Sequence, residues 1–152
     1  MLGYVYGHND QIGAFVAQLI PHCRRGFGAN IQTMGVLQGD RLVAGIVWHN
    51  YDPDAGIIEL SGAALPGVHW LTRRTLRRMY EFPFEQCGCQ MVVQRTPADA
   101  EMLLGLLAAY GFDFVAVRRL FGRDRDGVIC TLTLEAWLAN KFNRSVRNKE
   151  AA

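Results

Sequence analysis

The sequence predicts a mixed α/β sheet of about seven strands, mostly antiparallel, with helices on both faces. Two observations carry that prediction. Three strand-like runs, at residues 33–37, 41–49 and 56–64, are separated only by turn signals at 38–40 and 51–54, so they form an antiparallel meander. Beyond residue 70, segments of helical spacing alternate with short apolar runs, which is how a chain builds crossovers and further strands.

Taken in order, residues 2–6 alternate well enough for a first strand. Asn9 and Asp10 stand where an N-cap belongs, Ile12, Phe15, Val16 and Leu19 follow at helical spacing, and Pro21 stops the helix. Residues 22–31 read as a loop or short helical turn. After the meander, residues 70–86 read as a helix with Leu71, Thr75, Leu76, Met79 and Phe82 on one side. Thr72 is its candidate cap, Pro83 should kink it by removing a backbone donor, and Gly88 ends it. Residues 89–94 are apolar and β-branched enough for a buried strand. A second helix covers 98–110, with Met102, Leu103, Leu106, Leu107 and Tyr110 expected inside and Gly111 as its C-terminal cap. Two last strands fall at 112–118 and 128–134, and a short helix at 135–142. Residues 1–142 are expected to make one domain, with 143–152 a polar, frayed tail.

Bulk properties narrow the function. A net charge of +2 on 152 residues is far from the basic excess of a dedicated nucleic-acid binder. There is no basic-then-apolar leader and no apolar run of membrane-spanning length. The four cysteines form one C-x-C and two isolated thiols, unlike paired zinc-binding C-x-x-C, so reduced thiols in a cytoplasmic protein are expected, with no metal.

The element order resembles the GNAT (acetyl-CoA-dependent N-acyltransferase) superfamily over residues 2–134. Gly35-Val36-Leu37 with Leu42-Val43-Ala44-Gly45 looks like the second and third strands of that family, and Tyr110-Gly111-Phe112 like its helix ending in Gly-Phe. Ile58-Glu59-Leu60-Ser61, Trp70-Leu71-Thr72 and the run from Phe82 to Cys89 resemble a small subgroup common in phages and prophages.

The resemblance implies a fourth strand that carries a bulge and splays from the fifth, where unpaired backbone groups hold the pantetheine arm of a CoA thioester. By position, Leu60, Ser61 and Gly62 would face the pantetheine. Trp70, Leu71, Thr72, Arg73 and Arg74 would face the pyrophosphate at the start of the following helix, where the dipole favours an anion. The co-substrate implied is acetyl-CoA and the partner an unidentified amine acceptor. The usual glycines of the phosphate loop fall on Trp70 and Thr72, the usual thiolate-protonating Tyr on Leu107, and a frequent Asn on Ala100.

Acyl transfer to an amine needs a proton acceptor and a stabilised oxyanion. Glu59, in an apolar strand beside the expected bulge, is the candidate base, and His49, at the end of the neighbouring strand, the second. The bland readings are a sheet carboxylate pointing at solvent or paired with an arginine, and a surface turn histidine. Arg73, Arg74, Arg77 and Arg78 make a basic cluster at helical spacing, read as a clamp for CoA phosphates, a nucleic-acid patch or a solvated helix face. Phe27 lies in a loop that would border the acceptor. Two functions stay open: transfer of an acetyl or other short acyl group to an amine, or a catalytically inactive module of the same fold that binds a protein partner. The last strands are candidates for pairing two copies into a homodimer.

Overall fold

The structure, a computed structural model, describes residues 1–143. Its elements are β1 (Leu2–Tyr6), α1 (Asn9–Leu19), a 3-10 turn (Pro21–Cys23), β2 (Gln32–Gln38), β3 (Arg41–Asp52), β4 (Ile57–Ala64), α2 (Arg73–Glu81), a π-turn (Phe82–Gln86), β5 (Met91–Pro97), α3 (Glu101–Tyr110), β6 (Asp113–Val117), β7 (Gly127–Thr133) and α4 (Leu134–Ala139). The seven strands form one sheet in the order β1-β2-β3-β4-β5-β7-β6. Every neighbouring pair is antiparallel except β4 and β5, which run parallel because the crossover through α2 reverses the chain before it re-enters the sheet.

Strand alternation sends residues to two cores. Val47 meets Ile12 and Val16 of α1 on one face. Ile46, Trp48, Ile58 and Leu60 meet Leu76, Met79 and Tyr80 of α2 on the other, together with Leu107 and Tyr110 of α3 and Trp137 of α4. The α1 face closes tightly because Gly45 offers no side chain: a methyl there would sit 2.7 Å from Val16 Cγ2. Buried polar atoms in the larger core are paired. Trp48 Nε1 donates to Met79 O at 2.9 Å, Tyr80 Oη to Gln94 Oε1 at 2.6 Å, and Trp137 Nε1 to Tyr110 Oη at 3.1 Å.

Several local expectations change. His8, not Asn9 or Asp10, is the N-cap of α1, without a side-chain hydrogen bond. The Asn9 carboxamide oxygen instead accepts from the Thr33 hydroxyl at 2.8 Å, tying the helix start to β2. The helix expected from Trp70 begins at Arg73, with Thr72 as its cap: Thr72 Oγ1 accepts from Thr75 N at 3.2 Å. Pro83, lacking a backbone donor, widens the last turn, and Cys87 N reaches back five residues to Phe82 O at 3.0 Å.

The expected inner face of α3 is only half inside. Leu107 and Tyr110 are buried, whereas Met102 is 93% and Leu103 38% exposed, because the helix docks by its C-terminal turn and its first turn projects beyond the core. Gly111 caps it at φ 118°, as its position predicts. Asn143, read from sequence as the first tail residue, is buried and donates through Nδ2 to Trp137 O at 2.7 Å. The rest of the expected tail, 144–152, lies outside the described residues.

Candidate active site at the β4–β5 cleft

Only Ile57, Ile58 and Glu59 of β4 pair with β5, opposite Met91, Val92 and Val93. Beyond that point the strands part. Residues 60–64 and 94–97 then face each other across a gap whose backbone groups the sheet leaves open. The expected splay is present. The expected bulge is not within β4: the β3–β4 register shifts between His49 and Asp52, so the extra residue lies on β3. Asn50 sits there with φ 52°, a left-handed conformation that asparagine tolerates better than most residues.

That bulge assembles a polar group on the α1 face. His49 pairs with Glu59 and Val47 with Ser61 across the β3–β4 ladder, so all four side chains emerge on one side. His49 Nε2 lies 2.9 Å from Ser61 Oγ and 3.8 Å from Glu59 Oε2. Asn50 Nδ2 donates to Glu59 Oε1 at 3.1 Å, and Arg95 Nε donates to Glu59 Oε2 at 3.3 Å. The Phe27 ring stands 4.8 Å from the imidazole of His49. His49 is thus buried rather than a surface turn residue, and Glu59 is both next to the cleft and paired with an arginine, so the functional and bland readings of this carboxylate meet at one position.

Burial pushes the His49 imidazole below its ordinary value; Glu59 pulls it back up and Arg95 adds to the depression. His22 is lowered as well, first by burial and then by Arg95 and Arg125, against the pull of Glu59. Both rings are therefore held toward the neutral form near pH 7.

A cavity of about 280 Å³ fills the gap. Ser61 and Gly62 line it from β4 and Gln94 and Arg95 from β5, while His22 closes one side and Leu103 of α3 the other. A larger cavity of about 390 Å³ lies on the α2 face between Trp48, Phe82 and Arg78, away from Glu59.

The residues expected to face a CoA arm divide. Ser61 and Gly62 line the cavity, as does Leu60. Trp70 packs on the opposite side of Gly62, where a methyl on that glycine would lie 3.3 Å from Trp70 Cη2 and 2.6 Å from Ile46 Cδ1. Leu71 is half-buried against the larger core. Thr72 and the exposed Arg73 and Arg74 stand at the start of α2, where Thr72 Oγ1 already takes the Thr75 N–H. The Arg74 guanidinium lies over the Tyr4 ring at 5.1 Å and that of Arg73 over Phe142 at 5.6 Å. Arg77 pairs with Glu81 and Glu85, and Arg78 donates to Tyr6 Oη at 2.9 Å, so the later pair of the cluster serves the surface.

Arg95, Asn50 and His22 were not singled out by sequence reasoning, and Arg125, in the charge-alternating run 123–127 between the last two strands, reads from sequence only as part of a solvated hairpin tip. No motif marks them. Their role depends on a bulge and on a β6–β7 connection that brings Phe121 within 4.4 Å of the His22 ring.

No family model matches the chain, and no curated protein matches it. Solved structures do. A spermidine N-acetyltransferase, SpeG from Vibrio cholerae, superposes with a TM-score of 0.73 over 91% of this chain and 98% of its own at 12% identity. The chain has the GNAT fold. A probable acetyltransferase matches with a TM-score of 0.62 at 19% identity, over 72% of this chain and 65% of that one. A dodecameric form of the Vibrio cholerae spermidine enzyme matches with a TM-score of 0.73. At these identities the likeness concerns the fold alone.

Proposed function

We propose that this chain is an N-acyltransferase that moves an acetyl or other short acyl group from CoA to an amine. The observation that carries the reading is the position of Glu59 and His49 at the point where β4 parts from β5. In this reading the thioester arm follows the open edge of residues 60–62, and the phosphates lie at the start of α2 near Arg73 and Arg74. Open backbone N–H groups of the strand supply the oxyanion site. Glu59 takes a proton from the acceptor ammonium, with His49 neutral beside it. The amine nitrogen then attacks the thioester carbon, the C–S bond breaks, and the thiolate leaves with the second amine proton. A cytoplasmic location and kinship with the phage-like subgroup belong to the same proposal, as does pairing of two copies through β6, an edge strand whose Val115 is 60% exposed.

One observation favours the second reading, an inactive module acting through a protein partner. Leu107, at the position of the usual tyrosine, is buried in the core, and α3 offers the cavity only the hydrocarbon of Leu103. Among the residues that line the cavity, α3 supplies no hydroxyl.

Titration calorimetry of acetyl-CoA into the protein and its Arg73→Ala/Arg74→Ala variant separates the two. Micromolar binding that weakens in the variant supports transfer. Absence of binding in both removes the enzyme reading and leaves the partner-binding one.

A further inference from the structure

The wall of the β4–β5 cavity is electrically one-sided. Among the described residues, its charged side chains are two guanidinium groups, Arg95 from β5 and Arg125 from the β6–β7 connection, and no carboxylate lines it. Glu59 and Asp99 are not among its lining residues, and each pairs with one of these arginines. Arg95 engages Glu59 through Nε at 3.3 Å and Arg125 engages Asp99 through Nη2 at 3.4 Å, which occupies one edge of each five-donor group.

Arg125 is held in place by its backbone. Phe121 N donates to Arg125 O at 3.1 Å, and Ala98 N donates to Asp126 O at 3.0 Å, so the connection is pinned to the end of β5. Phe121 in turn packs at a tilt against His22 of the 3-10 turn, 4.4 Å between centroids. His22, Arg95 and Arg125 thus line one cavity, with Phe121 packed against the His22 ring. Burial is the main reason the His22 imidazole is lowered; Arg95 and Arg125 add to it, and Glu59 opposes them.

We propose that this cavity takes a small primary amine that also carries an anionic group, the anion on Arg125 and Arg95 and the nitrogen toward Glu59 and His49. That such a molecule is the acyl acceptor rests on the transfer reading above. A guanidinium fork matches the two oxygens of a carboxylate or phosphate. A di- or polyamine would instead place its second cation against two arginines, an arrangement that like charges oppose. The volume of about 280 Å³ is shared with the thioester end along residues 60–62, which leaves room for an amine of only a few heavy atoms.

The test follows the His22 ring signals by NMR, assigned with a His22→Gln variant, while four amines of similar length are titrated. These are β-alanine, O-phosphoethanolamine, propylamine and 1,3-diaminopropane. The expected result is at least tenfold tighter binding of one anionic amine than of propylamine or the diamine, falling to the propylamine level in Arg125→Gln. Preference for β-alanine identifies a carboxylate ligand and preference for O-phosphoethanolamine a phosphate. Equal or tighter binding of the diamine, or an anion preference that survives Arg125→Gln in a variant with unchanged circular dichroism, overturns the inference. Acetyl-CoA calorimetry on the same samples keeps the two ideas apart. CoA binding without an anion preference fails this inference alone, and an anion preference without CoA binding fails the transfer reading alone.

Discussion

Asn50 turns its side chain back onto Glu59: at φ 52° its Nδ2 lies 3.1 Å from the carboxylate oxygen Oε1. The extra residue that β3 carries between His49 and Asp52 makes this possible, because it rotates Asn50 out of the ladder. With Arg95 on the other oxygen, the carboxylate is fixed in orientation at the mouth of the cleft.

That arrangement separates two effects. Asn50→Gly keeps the backbone free to adopt positive φ and removes only the amide, so acetyl transfer should fall about fivefold, the worth of a hydrogen bond of about 1 kcal/mol, with little change in melting temperature. Glu59→Gln should lower kcat by about 100-fold or more while leaving the acetyl-CoA dissociation constant unchanged. Steady-state kinetics beside calorimetry decide it, and full activity in Glu59→Gln would remove that residue from the chemistry.

Acid should destabilise the protein through its histidines. His49 and His22 both have folded values below the ordinary imidazole value. The unfolded chain therefore takes up protons first as pH falls, and the unfolded state gains. Their contribution is intact above the ordinary imidazole value and is lost progressively as pH drops toward the lowered folded values. Urea unfolding from pH 7.5 to pH 5 should show this fall, and His49→Gln should flatten it. An unchanged slope in the variant would assign the acid sensitivity elsewhere.

The α1 face should tolerate no added carbon at Gly45. A methyl there meets Val16 Cγ2 at 2.7 Å and Ile12 Cγ2 at 3.1 Å. Gly45→Ala should cost about 1–3 kcal/mol, the range for overpacking. Trimming the partner in Gly45→Ala/Val16→Ala should recover part of that loss, and thermal melts of the three variants measure the coupling. Additive losses would mean that the two positions do not share the strain.

The thiols should be inert in the folded protein. Burial raises Cys23, Cys87 and Cys130 above the ordinary thiol value and pushes Cys89 up to about 11, with Cys87 adding to that shift. Cys23, Cys89 and Cys130 are buried, and Cys87 is half-buried. A thiol reagent at pH 8 should label Cys87 first and reach all four only in denaturant. Rapid labelling of Cys89 in the native state would contradict the burial.

The strand meander, the Thr72 cap, a disturbance of the helix at Pro83 and the Gly111 cap were all legible in the sequence, because each depends on neighbours a few residues away, whereas the π-turn that Pro83 takes part in was not. Glu59 and His49 were legible as polar residues in apolar strands. The exposure of Met102 and Leu103 was not, because an apolar helix does not reveal which of its turns finds a partner. The site was half legible for the same reason. Sequence alone determined the order of strands and helices and the polar residues available on β3 and β4. Only the tertiary structure decided that the bulge falls at Asn50, that Arg95 grips Glu59, and that the β6–β7 connection delivers Arg125 to His22's side of the cleft. Those contacts join residues 9 to more than 100 positions apart, and their geometry is set by sheet register and packing rather than by any local preference.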